Sequence, residues 1–296
     1  MKWRRVKSRD VIDVRGAGSG ARMGGGAARV GGGLGAVGLL IFIAIQVLGG
    51  GSSSGFDVTE VFGPAVQAPG AQTPQPIPPA QDPQRELRDF SVYVFEDAQR
   101  TWASTFRRGG EGYDGAELVL YSGAVQTGGC GGATAAVGPF YCPADGRVYL
   151  DLSFYEDMRS QLGASGDFAW AYVIAHEMGH HVQDETGTSD EVGRLSQQSP
   201  GDANELSVRQ ELQADCYAGV WASTVYAQGD LESGDLQEAF TASEAVGDDR
   251  LQRQATGRVD PDSFTHGTSE QRRRWFENGY ESGDPAACDT FSAEEL

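Results

Sequence analysis

Apolar positions along this chain fall into three regimes. Residues 31–51 form an uncharged, glycine-flanked apolar run centred on Leu39-Leu40-Ile41-Phe42-Ile43-Ala44-Ile45, about the 20 residues a helix needs to cross a bilayer. Residues 52–83 show no sustained periodicity, and seven of the chain's 12 prolines lie between Pro64 and Pro83. Such composition favours extended chain and cannot bury a core. From residue 84 onward the pattern is that of a folded domain. Residues 85–108 carry Val94, Trp102 and Phe106 and read as a helix, whereas residues 117–121 and 147–152 read as strands. Helices then dominate, over residues 153–162, 168–185, 202–228, 231–246 and 270–280. A few strands followed by helices is an α+β pattern, and the 213 residues from 84 to 296 suffice for one domain with a sizeable core. The expected organisation is a basic N-terminus (1–30), a transmembrane anchor (31–51), a Pro/Gly/Ser-rich linker (52–83) and a folded domain (84–296).

Charge gives that organisation a direction. Residues 1–29 carry eight basic side chains against Asp10 and Asp13, and a basic flank before an apolar span predicts that the N-terminus stays in the cytoplasm while the remainder is exported. A cleaved signal peptide is the competing account, although Leu48-Gly49-Gly50-Gly51-Ser52 lacks a clear A-x-A site. Removing the N-terminal +6 from the chain's net −19 leaves −25 for the rest. A surface that acidic repels phosphate backbones, so nucleic acid is excluded as a partner. The expected placement is the cell membrane, through a single N-terminal helix with the folded domain outside.

The chemistry is concentrated in His176-Glu177-Met178-Gly179-His180. Residues four apart on a helix lie nearly above one another, so His176 and His180 can face one zinc ion about 2 Å from each ring nitrogen. Glu177 then stands beside the open coordination position, placed to take a proton from water as general base. A buried structural histidine pair is the alternative. Asp167 to Ala175 precede the motif without Gly or Pro and are apolar on most sides, as suits a buried helix entering a site.

A catalytic zinc keeps three protein ligands and one open position. A continuation of the motif to a third histidine fails here, because Gln183 and Thr186 stand where Gly and His are required. Glu211 and Asp215, one turn apart on a second expected helix, offer a glutamate ligand and an aspartate that could hold the far ring nitrogen of a ligand histidine. On spacing alone, ordinary acidic residues on a solvated helix face remain an alternative.

HEMGHHVQ followed by RQELQADCYAG resembles the gluzincin pattern, and more narrowly the predicted membrane-anchored neutral zinc metallopeptidases of bacteria. The resemblance extends to MKWRRVKSRD, to CGGATAAVGPFYCPADGRVYLDLSFY and to SFTHGTSEQRRRWFENGYESGDPAACDTF. It implies a compact zincin-like metallopeptidase domain, zinc as cofactor, and a peptide or protein substrate. It also implies a sheet whose edge strand, beside the active-site helix, pairs with extended substrate; residues 147–152 are the candidate for that sheet. By the same resemblance His266 and Arg272 face the site, the histidine as an oxyanion donor and the arginine holding the substrate backbone or ordering the histidine loop. His181 points about 100° from His180 and is expected to pack or support rather than ligate.

Four cysteines allow three pairings. Cys130 with Cys142 would staple a Gly/Ala-rich loop, and Cys216 with Cys288 would tie the C-terminal tail to the helix of Glu211. Two functions of different class follow from all this: a membrane-anchored zinc peptidase, and a zincin-fold scaffold that hydrolyses nothing. The base Glu177 favours the peptidase, since a scaffold has no need of it.

Overall fold

The computed structural model describes residues 1–16 and 76–296. The expected anchor and most of the expected linker lie outside these residues; among the described residues no helix is long and apolar enough to cross a membrane. The architecture is α+β, with one four-stranded sheet, a two-stranded ribbon and a set of packed helices.

Strands β1 (Val11–Asp13), β2 (Glu117–Tyr121), β5 (Phe140–Cys142) and β6 (Arg147–Asp151) form a sheet in the order β1-β2-β6-β5. β1 and β6 run parallel to β2, and β5 runs antiparallel to β6. The continuous apolar run Leu118-Val119-Leu120-Tyr121 is buried throughout, as expected of an interior strand covered on both faces. β3 (Ala124–Gln126) and β4 (Gly132–Thr134) pair separately as the antiparallel ribbon. The strand expected over 147–152 is in this sheet as β6, at an interior position. The edge belongs to the three-residue β5, which the flanking Gly138-Pro139 and Pro143 conceal in the sequence.

Helices α1 (Arg85–Gly109), α2 (Phe154–Ser160), α3 (Asp167–Glu185), α5 (Ala203–Gln228), α6 (Asp235–Ala245) and α8 (Ser269–Ser282) match the expected helices within a few residues. Two more, α4 (Thr188–Gln198) and α7 (Asp248–Thr256), were not anticipated because their sequences are strongly polar. Helix α3 is the central element, packed against α1, α5 and α6. Phe168, Trp170, Tyr172, Ile174 and Ala175 are all essentially inaccessible, which explains why its N-terminal half is apolar on every side. Two of the buried indoles have partners: Trp170 Nε1 donates to Ser91 Oγ at 2.8 Å, and Trp221 Nε1 to Asp97 Oδ2 at 3.0 Å.

Small residues set the closest helix crossings. A Cβ on Gly179 would lie 2.9 Å from the Ala214 carbonyl oxygen, so α3 and α5 touch backbone to backbone between the two histidine positions. Gly219 and Gly279 do the same where α5 crosses α8. Both disulfides join the cysteines as expected, Cys130 to Cys142 and Cys216 to Cys288. The second ties the C-terminal tail to α5.

The domain boundaries expected from composition need correction at both flanks. Val11, Ile12 and Asp13 pair in register with Leu118, Val119 and Leu120. Arg15 is buried and ion-paired to Asp13 and Asp82, each at 2.7 Å. Residues 1–16 and the stretch just before α1 are therefore part of the folded body. Charge counting misassigned them, because Arg5 and Arg15 find carboxylate partners within the fold.

Candidate metal centre

Helix α3 presents His176 and His180 on one face, and α5 runs close enough, through the Gly179–Ala214 approach, to bring Glu211 onto the same point. The two Nε2 atoms are 3.2 Å apart, and Glu211 oxygens lie 3.2 Å from His176 Nε2 and 3.5 Å from His180 Nε2. All three residues lie in or beside the wall of one cleft.

The tautomers decide what fits there. His176 Nδ1 lies 2.8 Å from Asp215 Oδ1, a carboxylate acceptor, so the ring carries its proton on Nδ1. Gln183 Nε2 donates to the Gln210 carbonyl (2.7 Å) and to Gln213 Oε1 (3.1 Å). That orientation turns Gln183 Oε1 to His180 Nδ1 at 2.9 Å and fixes the same tautomer. Two Nε2 atoms and an anionic carboxylate consequently converge on one point, an arrangement that only positive charge relieves, whether a proton or a metal cation. Tetrahedral ligands about 2.0–2.1 Å from zinc stand about 3.3 Å apart, and the observed separations agree. Burial opposes a charged His176, yet Asp215 and Glu211 outweigh it and push its pKa up to about 10. Burial likewise opposes charge on Glu211, but the imidazoles of His180, His266 and His176 hold its pKa well below the ordinary value.

Behind this set lies a buried support. Asp215, fully buried, accepts a fork from Arg272, with Nε to Oδ2 at 2.7 Å and Nη2 to Oδ1 at 2.9 Å. Tyr172 Oη donates to the same Oδ1 at 2.5 Å. Burial alone would raise the Asp215 pKa; Arg272 and His176 outweigh it and lower it. Arg272 thus grips the aspartate that orients His176, and its guanidinium is engaged there rather than on the histidine loop.

That loop is ordered by Asp248 at the start of α7. Asp248 Oδ2 accepts the backbone N–H groups of Thr265, His266 and Gly267 at 2.8, 2.7 and 3.1 Å. Its Oδ1 lies 3.3 Å from His266 Nδ1. Immediately beyond, Thr268 and Gln271 cap α8 reciprocally, which fixes where Arg272 enters the core. His266 is 3 % exposed and lines the cleft with His176, Glu177 and Arg272.

Glu177 lies on the cleft wall with its pKa raised, chiefly by burial; His176 and His180 act against that, and Glu211 adds to it. Edge strand β5 contributes Phe140 and Tyr141 to the wall, and the Tyr141 backbone N–H faces the Glu177 carboxylate. Tyr141 Oη donates to Asp184 Oδ2 at 2.8 Å and lies 3.1 Å from His181 Nδ1. His181, turned away from the metal point, reaches the Asp114 carbonyl through Nε2 at 2.8 Å.

The structure therefore brings together His176, Glu177, His180, Glu211, Asp215, His266 and Arg272. Sequence reasoning missed Tyr172, Gln183, Asp248 and Tyr141. Tyr172 and Gln183 carried a usable signal, standing four residues before one ligand histidine and three after the other.

A family model described as "Putative neutral zinc metallopeptidase" matches residues 1–291. The "Uncharacterized protein YpfJ" of Escherichia coli (strain K12) is 48% identical over 294 residues, 98% of this chain and 99% of that protein. The "Uncharacterized protein Rv2575" of Mycobacterium tuberculosis (strain ATCC 25618 / H37Rv) is 50% identical over 196 residues, 62% of this chain and 65% of that protein. No solved structure matches the chain.

Proposed function

Because the chain belongs to the neutral zinc metallopeptidase family, we propose that it hydrolyses peptide bonds in a zinc-dependent reaction, with His176, His180 and Glu211 as ligands and Glu177 as general base. The observation that carries this reading is the convergence of two Nε2 atoms and a carboxylate at zinc-ligand spacing, beside a second carboxylate whose pKa is raised. A zinc ion held there supplies Lewis acidity and lowers the pKa of water toward about 7. Glu177, raised above an ordinary carboxylate, is well matched to take a proton from that water and to return it to the leaving amine.

The remaining side chains hold and orient. Asp215, gripped by Arg272 and Tyr172, keeps His176 in one tautomer, and Gln183 does so for His180. β5, the last strand of its sheet, lines the cleft and would pair with an extended peptide there in the manner of strand addition. His266, braced by Asp248, is the donor proposed for the oxyanion that develops on the attacked carbonyl. The proposed substrate is a peptide or unfolded protein segment, and the helix, glutamate and edge strand together make a zincin-like site.

The test is removal and return of the metal. Chelator treatment of the full chain should abolish cleavage of an unfolded protein, and stoichiometric zinc should restore it. Cleavage indifferent to chelator would sink the proposal.

A further inference from the structure

The N-terminal segment raises a question of sidedness that the zinc site does not. Residues 31–51 are apolar enough to cross a bilayer once, which would put the segment before them and the domain after them on opposite sides. The contacts on either side of that stretch belong to one sheet and one core.

β2 depends on β1 for its outer edge. Leu118 N donates to the Asp10 carbonyl at 2.7 Å, and Val14 N to the Leu120 carbonyl at 2.8 Å. Leu118 and Leu120 are themselves inaccessible to solvent. Without β1 this buried edge would lose its hydrogen-bond partners and become an open edge. Trp3 packs edge-on against Phe90 with centroids 5.6 Å apart, and Arg5 pairs with Asp89 at 2.8 Å. The segment thus lies along α1, far from being a free basic tail. The Arg15–Asp82 pair stands where the described chain leaves and where it resumes. Arg15 and Asp82 side chains are 0% and 2% exposed, so neither could be left unpaired without a buried charge.

We infer that residues 1–15, through strand β1 and the contacts that flank it, are a structural part of the metal-binding domain and share its compartment, so that the chain between Arg15 and Asp82 begins and ends on one side of any membrane it meets. A single crossing is incompatible with this pairing; an even number of crossings, or none, is compatible. The inference is independent of whether the zinc site hydrolyses peptides.

All four native cysteines are in disulfides, so an introduced thiol reports its own position. Lys7 and Gln254 are exposed on the two parts in question. In the full chain in sealed cells or vesicles, Lys7→Cys and Gln254→Cys should react with a membrane-impermeant maleimide from the same face. Both should be protected from the opposite face. A cross-strand pair, Ile12→Cys with Val119→Cys, should join on mild oxidation in the same preparation, as their Cα positions are partners. Reaction of Lys7→Cys and Gln254→Cys from opposite faces, or no junction between the cross-strand thiols, would overturn the inference.

Discussion

Each ligand histidine is held by a different residue, and that division makes the support separable by mutation. Gln183→Leu removes the acceptor that holds His180 Nδ1 and should weaken zinc binding about 10–100-fold, measured by competition with a chelating indicator. Arg272→Met leaves Asp215 buried without its fork. Denaturant unfolding of the metal-free chain should show a loss of about 3–5 kcal/mol, the range for breaking a buried ion pair from one side. Arg272→Lys should recover little, since a point charge cannot make both bonds. His176 and His180, with Glu177 between them, were legible because helical spacing puts the two histidines on one face; the same spacing pairs Glu211 with Asp215, but spacing alone left that pair open to a solvated role. Arg272 was flagged by resemblance, but its bond to Asp215 spans 57 residues and no local pattern announces it. Asp248 was hidden for the same reason: its value lies in three backbone N–H groups of a loop 17 to 19 residues away.

Elements were legible in proportion to their length and apolar content. The helices carrying the ligands follow from long, strongly apolar stretches, whereas β5, with only three residues between Gly-Pro and Pro, has no periodicity to read. α4 and α7 are short and polar, and their place is set by what they pack against. The crossing of α5 with α8 is the most sensitive packing contact, because a Cβ on Gly279 would lie 1.9 Å from the Cys216 carbonyl oxygen. Gly279→Ala should therefore destabilise by about 1–3 kcal/mol or more despite the better helix propensity of alanine, and thermal melting would read it. A variant as stable as the parent would mean that α8 does not pack at this distance. The same crossing delivers Arg272 to Asp215, so that variant should also weaken zinc retention.

At the scale of the whole molecule, stability depends on cross-links and carboxylates that tie distant segments together. Cys216–Cys288 closes a loop with a sequence separation of 72, and chain entropy assigns such a link roughly 4 kcal/mol, to be lost on reduction. Asp248 has its pKa lowered, because His266 and the loop N–H groups outweigh burial. A carboxyl depressed in the folded state contributes stability that is full above its unfolded value of 3.8 and is lost as pH falls through the folded value. Asp248→Asn should accordingly flatten the loss of stability that sets in as pH falls below about 3.8 in denaturant titrations. The α+β class and the two disulfides were legible along the chain. The N-terminal strand was not, since composition treats basic residues as solvated and cannot see that Arg15 is enclosed by Asp13 and Asp82. The most direct measurement is zinc content together with cleavage of an unfolded protein by the full chain and by Glu177→Gln. One zinc per chain in both, with cleavage falling at least about 100-fold in the variant, is the result this account predicts; absence of zinc from the wild type, or equal cleavage by both, would contradict it.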